Sequence, residues 1–271
     1  MSHTGKFVIS LDFELMWGVR DCKTIESYGP NILGVHKVIP RLLSLFQQYQ
    51  IAATFSTVGF LFLKNMDELL ANLPASFPGY QNKNLSPFNG YIDNLGEDEL
   101  TNNYHFAPDL IQQIKESGLH EIGSHTYSHY YCLEPGQNIA NFKDDLRMAK
   151  TVAAEHKITL QSLVFPRNQY NHEYLAACKE AGIICIRGNK ESWLYNARSN
   201  ESLLLRAVRL ADSYIPLAGL NTFAFDELEI TEGVINIPAS RFLRPAAAKP
   251  GLVHQLHLNR IMAEMTYAAK H

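Results

Sequence analysis

His125 and His129, in the run His125-Thr126-Tyr127-Ser128-His129, are the pair in this sequence best placed by spacing to share a metal ion. On a single helical turn, residues four apart face the same side, so both imidazoles can present a nitrogen to one cation. The same spacing arises among ordinary core or surface histidines in a chain with 11 of them, so it needs support from elsewhere. The upstream His120-Glu121 invites a zinc-protease reading, but that motif requires a histidine at position 124 and meets Ser124, with Gly123 weakening a helix. A second element is Asp12 and Glu14, two carboxylates two residues apart at the end of an apolar run. In an extended chain both project to one face, which allows one to bind a metal while the other takes a proton. Taken alone, they are equally an exposed strand end. Their neighbours Leu11, Phe13, Leu15 and Met16 argue for burial, and buried carboxylates need a cation.

The elements that must position these groups follow from periodicity. Residues 6–11 (KFVISL) predict a strand, and residues 35–50, with apolar positions at Val38, Ile39, Leu42, Leu43 and Phe46, predict a helix. Strands are expected over 51–55, 121–124, 160–165, 183–187 and 234–237, and helices over 65–73, 107–117, 142–156, 172–181 and 252–271. Gly118 and Gly182 close two of these helices. Residues 74–94, rich in Pro, Gly and Asn, read as a long excursion. Strands alternating with helices predict a parallel sheet with helical crossovers, either a barrel or a doubly wound sheet. Asp12, residues 123–129, Pro166-Arg167 and Gly188-Asn189 all follow strand ends, the rim where such folds keep their sites, and this convergence favours a barrel.

Bulk properties agree with one globular domain over residues 1–271, 46% hydrophobic and 19% charged. A net charge of -3 with no basic run argues against a nucleic-acid partner, and charges or prolines interrupting every apolar stretch argue against membrane insertion. Cys22, Cys132, Cys178 and Cys185 form no CxxC pair and read as reduced thiols. The N-terminus shows no secretion signal, so a cytoplasmic location is expected. Nothing in the sequence marks an oligomeric state.

These residues resemble the polysaccharide deacetylase family, also called carbohydrate esterase family four or the NodB-homology domain, over most of the chain. Asp12 and Glu14 match a branch of the family with a spaced acidic pair, and residues 53–59 (ATFSTVG) are similar to its second strand. Residues 121–129 (EIGSHTYSH) match its histidine motif almost residue for residue. Phe165-Pro166-Arg167-Asn168-Gln169-Tyr170 resembles the third motif, and the stretch from Arg187 through Asn189 to Trp193 loosely echoes the fourth. The resemblance implies a distorted (β/α) barrel of the deacetylase type, seven-stranded, acting on an N-acetylated sugar or polysaccharide precursor. It implies one divalent metal ion, zinc first, on Glu14, His125 and His129. It implies further that Asp12 is the catalytic base, steered by Arg167, and that the backbone N–H of Tyr170 faces the developing oxyanion. Asn189 and Trp193 are implied to line the substrate groove. Trp17 and Tyr130, with Tyr127 and Tyr131, are rim aromatics able to stack on sugar rings, or else core packing.

One departure bears on activity. The family's fifth motif, a Leu-x-His on a late strand, supplies the general acid. Leu252-Val253-His254 matches it by letter but follows Pro250-Gly251 and opens a helix-patterned segment, so the barrel is expected to be incomplete at its C-terminus. A carbohydrate-binding pseudoenzyme is therefore an alternative. So is a hydrolase of a non-sugar linear or cyclic amide, because fold and metal do not set the substrate. Two histidines and a carboxylate are also the facial triad of ferrous oxygenases, although the alternating helices and strands fit that class poorly.

Overall fold

The computed structural model describes residues 6–96, 98–189, 194, 203–215, 217, 219–243 and 251–270. In chain order its strands and α-helices are β1 (Ser10–Phe13), α1 (Ile25–Tyr49), β2 (Thr54–Thr57), α2 (Met66–Ala71), α3 (Glu99–His105), α4 (Pro108–Glu116), β3 (Glu121–Ser124) and α5 (Ile139–Glu155). There follow β4 (Ser162–Val164), α6 (Leu175–Glu180), β5 (Cys185–Gly188), α7 (Leu203–Asp212), β6 (Ile230–Thr231), β7 (Val234–Pro238) and α8 (Leu252–Lys270). The strands form one seven-stranded sheet in the order β1-β2-β3-β4-β5-β7-β6. From β1 to β4 the neighbours pair parallel, whereas β6 and β7 are antiparallel. The fold is thus mixed α/β on a mostly parallel sheet, with the expected seven strands and with crossover helices between the parallel ones.

The chain divides into two compact units, one of Val8–Ile186 with Ile230–Ile235, the other of Met1–Phe7, Arg187–Glu229 and Asn236–His271. The first unit holds β1 to β4 and a core in which Phe55, Phe60, Leu61, Ile111, Ile114, Val152 and Leu163 are wholly buried. Each such side chain contributes about 1.5–3 kcal/mol. Helix α1 begins ten residues before its predicted start, at Ile25 rather than 35, and passes through Pro30 and Pro40. Thr24 caps it reciprocally with Ser27, and its buried residues Gly29, Ile32, Ile39 and Phe46 recur on one face. Packing of that face outweighs the loss of backbone hydrogen bonds at the prolines. Helix α3 was not evident in the sequence; Asp98 caps it by accepting from the N–H of Thr101.

In the second unit, α7 and α8 are tied by charges rather than by an apolar stripe. Arg241, its side chain largely covered, donates to Asp212 at 2.8 Å and to Glu264 at 3.0 Å, and buried Arg260 reaches Glu264 at 3.0 Å. Pairing of this kind is what makes buried charge tolerable.

Candidate metal centre

Register brings the site together. Parallel pairing sets Asp12 beside Ser56 and Phe13 beside Thr57, then Ser56 beside Gly123 and Thr57 beside Ser124. Glu14 is the first residue after β1 and His125 the first after β3, so both emerge at one level on either side of β2. Backbone bonds secure that level: His125 N–H donates to Thr57 O at 2.9 Å, and Gly59 N–H to Thr126 O at 2.9 Å. Gly59 is required for this approach, because a Cβ there would lie 2.8 Å from Cα of Tyr127.

The histidine segment is a loop and not the helical turn that the i, i+4 spacing suggested. Thr126 and His129 have left-handed backbone, φ 63 and 58, a conformation that costs a β-branched residue on the order of 1–3 kcal/mol. It is held by side chains. Thr126 Oγ1 accepts from Tyr130 N–H at 2.7 Å and donates to His125 O at 2.6 Å. From α5, the buried carboxylate of Asp145 accepts from Tyr127 N–H at 2.7 Å, Ser128 N–H at 3.1 Å and the Ser128 hydroxyl. Burial pushes the Asp145 pKa up to about 6 despite these three donors.

Within this frame, Oε2 of Glu14 lies 3.2 Å from Nε2 of His125 and 3.1 Å from Nε2 of His129. The three ligand atoms fall within 4.8 Å of one another, the one such cluster among the described residues. Two ligands about 2.0–2.1 Å from a tetrahedral ion are separated by about 3.3 Å, so these spacings suit a shared cation. The chemistry of the donors agrees. His125 Nδ1 donates to Val164 O at 2.9 Å, which leaves Nε2 as the ring atom directed at the Glu14 carboxylate. Nε2 and the carboxylate oxygen can approach this closely only with a cation or a proton between them. Burial alone would raise the Glu14 pKa, but hydrogen bonds and charge from both histidines hold it well below the usual carboxylate range. Burial lowers His129, against the pull of Glu14. A carboxylate held ionised and an imidazole pushed toward its neutral form are the states that metal binding needs. Both imidazoles are buried while the Glu14 side chain is 27% exposed, so solvent reaches the cluster from the Glu14 side.

Several expected site residues stand elsewhere. Arg167 pairs with Asp21, not Asp12, and its guanidinium lies 4.7 Å over the ring of Tyr131. The left-handed backbone of Arg167 and Asn168, φ 54 and 51, turns the side chain that way. Asp12 itself is exposed at the end of β1. The N–H of Tyr170 is not directed at an oxyanion, because it donates to Asn168 O at 2.8 Å in the same tight turn. Trp17 and Tyr130 are core residues and do not line a groove. Trp17 is wholly buried, with its indole N–H on His105 O at 2.6 Å, and the Tyr130 hydroxyl donates to Asn138 O at 3.0 Å. Large rings on these short loops lose more water contact by packing inward than a rim position allows. Asn189 follows β5 directly and is partly buried, and Trp193 lies outside the described residues.

Sequence reasoning passed over Asp145 and Asp21 as site residues, and read Tyr131 as a rim aromatic or core packing rather than as a contact of His129. Asp145 had a usable signal: it falls in phase with the buried Phe142, Leu146, Ala149 and Val152 of α5, where an unpaired carboxylate would be costly.

The family model for polysaccharide deacetylases matches residues 4–186, which ends where the main segment of the first unit ends. No curated protein matches the sequence. Among solved structures, a candidate polysaccharide deacetylase from Mycobacterium smegmatis shares 12% identity and a TM-score of 0.53, over 97% of this chain and 73% of its own, which shows a common fold. A family 4 carbohydrate esterase from Streptomyces lividans, solved in complex with acetate, is 11% identical over 98% of this chain and 90% of its own, with a TM-score of 0.40. A pseudoenzyme of carbohydrate esterase family 4 from Bacillus anthracis is 14% identical, with a TM-score of 0.36, over 67% of this chain and 43% of its own. This chain thus spans less than half the length of that pseudoenzyme.

Proposed function

The chain belongs to the polysaccharide deacetylase family, and from that premise we propose that it is a metal-dependent hydrolase removing the acetyl group from an N-acetylated sugar or polysaccharide precursor. The observation that carries the proposal is the convergence of Glu14, His125 and His129 on one point. Three protein ligands of the N, N, O type fit the catalytic rather than the structural pattern for zinc, which keeps a position open. When bound, such an ion would lower the pKa of water and polarise an amide carbonyl.

The chain's own residues would do the rest. Val164 and Tyr131 fix the two rings from behind by their Nδ1 atoms, so that both Nε2 atoms face the same point. Asp12, by the family motif, is the carboxylate proposed to accept the proton of the attacking water. Its role does not depend on Arg167, which is engaged by Asp21. Departure of the amine needs a proton in turn, and a positioned general acid is worth roughly 10²–10⁴ in rate.

That requirement supports a second reading. Leu252-Val253-His254, the only letter match to the family's general-acid motif, opens helix α8 and is not on a strand. A chain that keeps the metal site but lacks that acid would bind N-acetylated carbohydrate without turning it over. The two readings separate in one experiment. Zinc content and acetate release from N-acetylglucosamine oligomers are measured for the protein and for His125→Ala. Zinc retained by the variant would defeat the ligand set; zinc bound by the parent without acetate release favours the pseudoenzyme.

A further inference from the structure

We infer that Asp21, Arg167 and Tyr131 form a support whose task is to position His129, so that Arg167 and Asp21 are positioning residues for the metal site and not partners of the catalytic base. The inference rests on the metal-site reading above. Tyr131 is wholly buried. Its backbone N–H donates to the Tyr80 hydroxyl at 2.9 Å, and its own hydroxyl lies 3.1 Å from Nδ1 of His129. The two rings meet edge to face at 5.1 Å and 90°. If Nε2 of His129 is to face a cation, Nδ1 must carry the proton and the Tyr131 oxygen must accept it. The angle of the imidazole is then set by where the phenol is held.

Arg167 holds it, with its guanidinium 4.7 Å from the ring centroid. A cation over an aromatic face attracts by only about 0.5–2 kcal/mol, and the Arg167 side chain is 39% exposed, so water competes for it. Asp21 tips that competition. Its side chain is 8% exposed, and one carboxylate oxygen takes the guanidinium. The other oxygen, Oδ1, is buried with no hydrogen-bond partner, so the carboxylate has no alternative donor among the described contacts and stays committed to Arg167. The chain of contacts is therefore continuous from Asp21 through Arg167 and Tyr131 to His129, and on to Glu14 through Nε2. It approaches His129 from the face opposite the shared ligand point.

Supports of this kind typically shift metal affinity by 10–100-fold when broken. The test is titration of the full chain with cobalt(II) alone, followed by its visible absorption, for the parent, Asp21→Asn, Arg167→Met, Tyr131→Phe and the double variant Asp21→Asn/Tyr131→Phe. Each single change is expected to weaken cobalt binding about tenfold or more. The double variant should lose little beyond Tyr131→Phe, because both act through one link. Cobalt affinity unchanged in Asp21→Asn and Arg167→Met, or losses that simply add, overturns the inference. Tyr131→Phe removes one oxygen and keeps the ring, so its result stands even where Arg167→Met perturbs folding. A parent protein that binds no cobalt would instead overturn the metal-site reading itself.

Discussion

The carboxylate of Glu14 is folded over the backbone of Gly18, so closely that a Cβ at Gly18 would lie 2.0 Å from Cδ and 2.1 Å from Oε1 of Glu14. The turn Leu15–Gly18 thereby shapes the position of the one acidic ligand candidate.

Gly18→Ala should displace that carboxylate without unfolding the chain, since the obstructed atoms are the end of a flexible side chain. Zinc affinity is expected to fall at least tenfold, in line with the sensitivity of metal sites to ligand placement, while the melting temperature of the metal-free protein changes by only a few degrees. Isothermal titration with zinc and a thermal scan of the same samples check both halves.

Asp145→Ala leaves the N–H groups of Tyr127 and Ser128 buried without an acceptor. At about 1–3 kcal/mol for each stranded donor, the loss of stability from the two should be about 2–6 kcal/mol, read from urea denaturation. The left-handed backbone at Thr126 and His129 loses its anchor in the same change, so zinc binding should weaken too.

Two buried groups give opposing pH dependences. Burial lowers His105 from 6.5 to about 4, so its contribution to stability is complete above pH 6.5 and is lost as pH falls through 4. Asp145 is raised from 3.8 to about 6, so its contribution is complete below pH 3.8 and is lost as pH rises through 6. Each is worth about 3 kcal/mol across its window, at about 1.4 kcal/mol for each unit. Between pH 4 and 6 they largely cancel in the parent. Asp145→Asn should expose the His105 effect as a stability that falls steadily on acidification from pH 6.5 to 4, measured by urea midpoints; an unchanged profile would refute the assignment.

Chelation should destabilise the zinc-loaded protein. Ligand in hundredfold excess over its Kd stabilises by about 2.7 kcal/mol, so addition of a chelator should lower the melting temperature by several degrees in the parent and leave His125→Ala unmoved.

Local sequence determined a good deal here. Apolar runs marked every strand but the two-residue β6, and most helices, because burial imposes a period of two or 3.6 on consecutive residues whatever lies opposite. Glu14, His125 and His129 were also legible, since they follow strand ends and sit in contiguous motifs. Tertiary structure alone decided which groups meet. Asp21 and Arg167 are 146 positions apart, and no periodicity could pair them in preference to Asp12 and Arg167. Rim stacking and core packing were equally open for the aromatics Trp17 and Tyr130, and the left-handed backbone of the histidine loop is held by contacts from Asp145 and Thr126 that no local pattern announces. Periodicity reports which side of an element is dry; the partner across the core is fixed by strand register and by loops, which the chain sets only when it folds.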